Sequence, residues 1–272
     1  MRSGQRRIIL AFVFSTLLAS VLACGSTPAA PTATVTAEPP PTQTSLPTQP
    51  SAPLYKSATL ASVPRNETSQ PPSPAYTVKA QIPTLQGNRD ARVTNFNDEM
   101  TLLTQEEIAK FKDNAAQTRP LPGSAGSSYD QQYQLLSPPG NLLSLKFQIY
   151  IYIYQAAHPN THSRTVNYDL EAGQDLPLEQ LFLSGSDYLQ RISNYCIAQL
   201  KTRNIGFDPT TSGALPLPAN YGNWNITAKG LLITFDAYQV AAYAAGPQEV
   251  VIPFAELQAV IDPHGALAGF LP

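Results

Sequence analysis

Hydrophobic and polar positions alternate most regularly between Leu142 and Tyr154. Leu143, Leu145, Phe147, Ile149, Ile151 and Ile153 take one side, and Ser144, Lys146, Gln148, Tyr150, Tyr152 and Tyr154 the other. A period of two predicts a strand with one face in a core. Tyr76–Ile82 and Ser128–Leu136 read as further strands, with Pro138-Pro139-Gly140-Asn141 turning the chain after the second. Arg164–Leu170 continues the series. Between Asp90 and Gln117 the period changes: Val93, Phe96, Met100, Leu103, Ile108, Phe111 and Ala115 recur at helical spacing, with Glu106, Glu107, Lys110 and Lys112 expected on the wet face.

A second helix is expected over Ser186–Arg203, where Leu189, Ile192, Cys196 and Leu200 share one side and Ser186 or Asp187 caps the start. Trp224–Thr227 and Leu231–Phe235 flank Ala228-Lys229-Gly230 as a hairpin. Val250–Phe254 makes an edge strand, since Pro253 lacks an N–H, and Ala255–Ile261 a short helix. Blocks of strands and helices joined by hairpins predict an α+β fold, its antiparallel sheets packed with two main helices. The expected division is a first subdomain over 75–183 and a second over 184–272.

The first 74 residues follow neither period. Arg2, Arg6 and Arg7 precede an apolar run from Ile8 to Leu22, which is shorter than the roughly 20 residues a membrane span prefers. The run ends Val21-Leu22-Ala23-Cys24, which resembles the lipobox of bacterial lipoprotein signals. Residues 1–23 are accordingly expected to be a cleaved signal and Cys24 the lipidated residue, holding the chain on the extracytoplasmic face of the cell membrane. Residues 25–74 carry 12 of the 26 prolines, with much Thr and Ser. Such a composition buries too little apolar surface to offset its ordering entropy, so 24–74 is expected to be a disordered, semi-rigid linker.

Charge and chemistry narrow the function. Without the three arginines of residues 1–23, 14 basic residues face 19 acidic ones, a formal charge of −5 with no basic cluster. Nucleic acid is therefore not an expected partner. With Cys24 acylated, Cys196 has no disulfide partner, and its place on an apolar helical side marks it as a buried thiol rather than a nucleophile. His158 and His162 stand four apart, but Pro159 and Asn160 argue for a turn, so no metal is expected. No phosphate loop, dinucleotide fingerprint or metalloprotease motif occurs, and no cofactor is expected. Tyr150, Tyr152 and Tyr154, with Tyr129 and Tyr133 on a neighbouring strand, form either an aromatic surface for a ligand or ordinary packing under a helix. Tyr238 and Tyr243 bracket a turn ending at Gly246-Pro247.

Three stretches together resemble a known family. They are Ile149–Tyr154 leading through Ala157-His158-Pro159 to Asn167–Leu176; Leu178–Phe182 with the helix that follows; and Gly230–Phe235, Tyr238 and Val240–Gly246 on to Val250–Leu257. The succession is similar to the paired domains of unknown function in the ectodomain of the anti-sigma-V factor, a module also found beside a peptidoglycan deacetylase domain. It covers about residues 76–261, and departs from the family's Gly-Gly-Ala-His by having Gln155-Ala156-Ala157-His158. The resemblance implies an envelope-facing binding or sensor module, since the anti-sigma-V ectodomain binds lysozyme. It does not carry over anti-sigma or deacetylase activity, because the cytoplasmic segment, membrane helix and deacetylase domain have no counterpart here. The expected ligands are a wall-degrading, lysozyme-like protein or peptidoglycan. The expected contacts are Tyr150, Tyr152, Tyr154, His158, Tyr238 and Tyr243, and none of these is expected to be catalytic. The competing expectation is an envelope hydrolase or glycan deacetylase using His158 and Asp169, with Asp236.

Overall fold

A computed structural model of the protein describes residues 54–71, 73–208 and 212–270. The signal segment, Cys24 and the Pro/Thr-rich stretch as far as Pro53 lie outside them. The larger sheet has six strands in sequence order: β1 (Thr59–Ser69), β2 (Tyr76–Gln86), β3 (Ser127–Leu135), β4 (Leu142–Tyr152), β5 (Asn160–Asp169) and β6 (Gln174–Asp175). Helix α1 (Ala91–Ala115) joins β2 to β3, and a helical crossover returns the chain in the same direction. Hence β2 and β3 pair in parallel while every other pair is antiparallel. The expected α+β class holds, with this one parallel pair inside a sheet expected to be antiparallel.

Asp90 caps α1, its carboxylate accepting from the Arg92 N–H at 2.9 Å. The helix lays Phe96, Met100, Ile108 and Phe111, all nearly without exposure, on the side of the sheet formed by Val78, Ala80, Leu145, Phe147 and Ile149. Phe96 meets Tyr168 of β5 edge to face, ring centroids 5.2 Å apart. Glu107 is not on the wet side as expected. It is buried, and its carboxylate takes a 2.8 Å hydrogen bond from Arg164 of β5, with His162 3.8 Å away. A carboxylate survives burial only with such partners.

Strand β1 corrects the far bound of the expected linker, because it lies inside 24–74 and pairs with β2 over eleven positions. None of its residues is buried. It is held by its ladder, by half-buried Leu60 against the first core, and by polar contacts: Ser62 to Gln81, the Tyr133 hydroxyl to the Ala61 carbonyl, and a Glu67–Lys112 ion pair. The composition argument asks whether a segment can build a core, and β1 needs only to join one.

The smaller sheet contains β7 (Trp224–Thr227), β8 (Gly230–Phe235) and β9 (Gln248–Ile252), all antiparallel. Pro253 lies just past β9, so that strand's edge position does not depend on it. Helix α2 (Tyr188–Lys201) packs Ile192, Cys196 and Leu200 into the second core, beside Leu231, Ile233 and Phe235. The Cys196 thiol is buried, which pushes its pKa up to about 12 and makes it inert. Leu176, Leu178, Leu181 and Phe182, placed by sequence in the first subdomain, pack into this second core.

The two sheets meet through a buried polar seam. On the face of β4 opposite α1, the Ser144 hydroxyl donates to Asn167 (2.5 Å) and accepts from the Asn225 side chain and the Ile226 N–H (both 2.9 Å). Asn167 in turn donates to the Trp224 carbonyl at 2.8 Å. The smaller sheet thus covers one end of this face and leaves the other end open.

At the edge of α1, Glu99 faces Asp175 of β6. Burial first, and the Asp175 carboxyl second, raise the Glu99 carboxyl from 4.5 to about 7, against the opposing pull of Arg164. The folded chain therefore holds this proton more tightly than the unfolded chain. The stability so gained is complete below about pH 4.5 and is lost as pH rises through 7. Glu99→Gln is expected to stabilise the protein by ~1 kcal/mol at pH 8, after discounting for solvent screening, and to be near neutral at pH 4. Urea unfolding at the two pH values checks this; equal effects at both would refute it.

Candidate functional site

The expected contact residues fall into two places. The first is the open end of the β4 face. Register across the ladders puts Thr77, Ser128 and Tyr152 in one row, and Lys79, Asp130, Tyr150 and Thr161 in the next. Tyr150 is 42% exposed, and Tyr152 is half-buried. Neither alternative read from the sequence describes this face fully. The helix covers the opposite side of the sheet, and Tyr129 and Tyr133 point to that opposite side. Tyr129 is buried against Phe111 and donates to Gln131 at 2.6 Å. Tyr154 lies beyond the end of β4 in a turn, where its N–H donates to the Ser127 hydroxyl.

The second place is built by two loops distant in sequence. After β4, Gln155 adopts φ 69°, the left-handed conformation. This is the position where the family pattern has glycine, which takes that conformation without steric cost. The loop then presents His158, whose ring lies 4.5 Å from that of Tyr243. Tyr243 is fixed by its hydroxyl, which donates to the Pro159 carbonyl at 3.0 Å. On the other loop, between β8 and β9, the Tyr238 ring packs at a tilt against Tyr243, centroids 5.3 Å apart. Three of the six expected contacts thus form one aromatic group, His158 lying 80 or more positions before the two tyrosines in chain order.

Tyr238 is the most informative of them. It is 67% exposed and sits at φ 71°, a conformation a bulky residue rarely keeps. Its neighbours enforce it. Gln239 donates to the Gly213 and Asn220 carbonyls at 3.1 and 2.9 Å, and Gly213 lies so close that a Cβ there would overlap the Gln239 carbonyl. Asp236 accepts from the Ser163 N–H at 2.8 Å and from Asn223 at 3.2 Å, tying the loop to β5. Nothing in the sequence pattern marked Gln239, Gly213 or Asn223, because their roles depend on contacts across the chain.

The hydrolase expectation does not find its geometry. His158 precedes β5 and Asp169 ends it, and the ten-residue strand between them is roughly 30 Å long. Asp169 accepts from the N–H groups of Glu171 and Ala172 in a turn, and Asp236 is occupied as above. His162 points to Glu107 on the helix side of the sheet, away from His158. Among the described residues no three His, Cys, Asp or Glu side chains converge as a metal set.

A two-sheet α+β module with an exposed aromatic loop group is the class the structure defines. Residues 179–255 match the model of a family described as a protein of unknown function, DUF3298. Over 151 residues, 54% of the chain, it is 25% identical to the peptidoglycan-N-acetylmuramic acid deacetylase PdaC of Bacillus subtilis, spanning 32% of that protein's length. Two solved structures share the fold. A DUF3298 family member from Bacteroides fragilis superposes with a TM-score of 0.58 at 16% identity, covering 75% of this chain and 94% of that one. A DUF3298 family protein from Pseudomonas aeruginosa does so with a TM-score of 0.50 at 15% identity, covering 76% and 94%. The resemblance read from the sequence, to a module also found beside a peptidoglycan deacetylase domain, is thus shown.

Proposed function

We propose that the protein is a non-catalytic, extracytoplasmic binding module, held to the membrane by lipid on Cys24. In this reading its partner is a wall-degrading, lysozyme-like protein, held through His158, Tyr238 and Tyr243, or peptidoglycan. The observation that carries the reading is Tyr238. An exposed aromatic ring in a left-handed conformation, its next residue Gln239 tied down by hydrogen bonds and its face against Tyr243, is pre-ordered for contact at a cost the fold absorbs elsewhere. Tyrosine anchors of this kind dominate protein interfaces, because they add large contact area at little loss of freedom. The likeness to a relative that acts on peptidoglycan supports an envelope ligand.

The test is a calorimetric titration of the chain with lysozyme and with solubilised peptidoglycan. Tyr238→Ser with Tyr243→Ser is expected to weaken lysozyme binding by about 30-fold, the size of a two-kilocalorie anchor. Binding of neither partner by the parent chain, or equal affinity of the double variant, would sink this reading.

A further inference from the structure

The open end of the β4 face holds a depression whose lining includes none of His158, Tyr238 and Tyr243. It is a shallow depression of about 560 Å³, four strands wide from β2 to β5, or about 14 Å across. The same sheet face behaves in two ways along its length. Near Ser144 and Asn167 its polar side chains are all engaged with the smaller sheet. At the open end, the side chains of Thr77, Lys79, Gln148, Tyr150 and Thr161 make no hydrogen bond or ion pair among the described residues. Lys79 and Asp130 stand opposite each other on β2 and β3 without pairing, and Asp130 instead accepts from Gln132 at 3.1 Å.

The lining chooses among ligand classes. Protein interfaces are enriched in aromatic residues, Met and Arg, and depleted in Lys, Asp and Ser. Here Lys, Asp, Ser, Thr and Gln predominate around one exposed tyrosine, so a protein partner fits poorly. One ammonium and one carboxylate leave the depression formally neutral, which disfavours a polyanion. Uncommitted hydroxyls, two side-chain amides and a half-exposed ring instead match a ligand rich in hydroxyl and acetamido groups. We propose that this face binds an uncharged amino-sugar oligosaccharide, with Tyr150 stacking on a sugar ring and Gln132, Gln148 and Thr161 bonding its polar groups. The proposal rests on the envelope reading above and names the glycan's place on the molecule. The four-strand width fits several sugar units, so affinity is to rise with chain length.

The probe is an N-acetylglucosamine oligosaccharide series, from monomer to hexamer, followed by backbone-amide NMR shifts on the 15N-labelled chain. Shifts confined to β2–β5 around Tyr150, at least tenfold tighter for the tetramer than the monomer, are expected. Gln148→Ala with Tyr150→Ala, both exposed, is expected to weaken the tetramer tenfold or more while Tyr238→Ser leaves it unchanged. No shifts at these strands, or shifts centred on Tyr238 and Tyr243, would overturn the proposal. So would preference for an anionic polymer, lost on Lys79→Gln or in high salt. Retained lysozyme binding alongside absent glycan shifts would remove this inference and leave the proposed function standing.

Discussion

Replacing Ser144 by alanine is expected to lower the free energy of unfolding by about 2–4 kcal/mol. Ser144 is fully buried, and its hydroxyl meets three partners at once. Removing it leaves Asn167 without its donor, and the Ile226 N–H without an acceptor. Asn225, also without exposure, keeps only its bond to the Leu145 carbonyl at 3.0 Å. Stranded buried polar groups carry the whole desolvation cost, whereas a single bond made and lost on a surface would cost a fraction of it. Urea unfolding by fluorescence of Trp224, which sits at this seam, is the direct measurement. A loss under about 0.5 kcal/mol would show that water fills the gap and that the seam is not what joins the sheets.

The second large effect concerns the membrane. Cys24→Ser is expected to move the exported chain from the detergent phase to the aqueous phase almost completely. The reason lies in the order of Arg2, Arg6 and Arg7, the apolar Ile8–Leu22 run and Val21-Leu22-Ala23-Cys24. Diacylglyceryl on the thiol would supply two chains, and two chains anchor stably where one is marginal. Equal partition of parent and variant would refute the lipid anchor.

Much of the architecture was legible because the local pattern and the final environment agree. The alternation of Leu142–Tyr154 became β4 with its apolar side under α1, and the periodic residues from Val93 to Ala115 all face that sheet. What escaped lacks a pattern of its own. Strand β1 is polar and contains Pro64, and only its partner β2 makes it a strand. Tyr129 and Tyr133 were expected beside Tyr150. The register instead sets Tyr129 opposite Ile151 and Tyr133 opposite Phe147, on the core side, because residues directly across a ladder share a face. The aromatic group was legible as residues but not as a group. Pro159 and Tyr243 meet across 84 positions of chain, and no local rule brings them together.

Strand β1 also has a bearing on solubility. It contributes no buried side chain, so it can open by local fluctuation at small free-energy cost while the rest stays folded. Each opening uncovers the long edge of β2, whose Val78, Ala80 and Ile82 form a β-prone run that another molecule could extend. Pro64, Arg65 and Glu67 on β1 are the kinds of residue that keep an outer edge from recruiting a neighbour. The strand thus serves as a guard on a sticky border, and damage to it would surface as self-association long before it appeared as loss of fold.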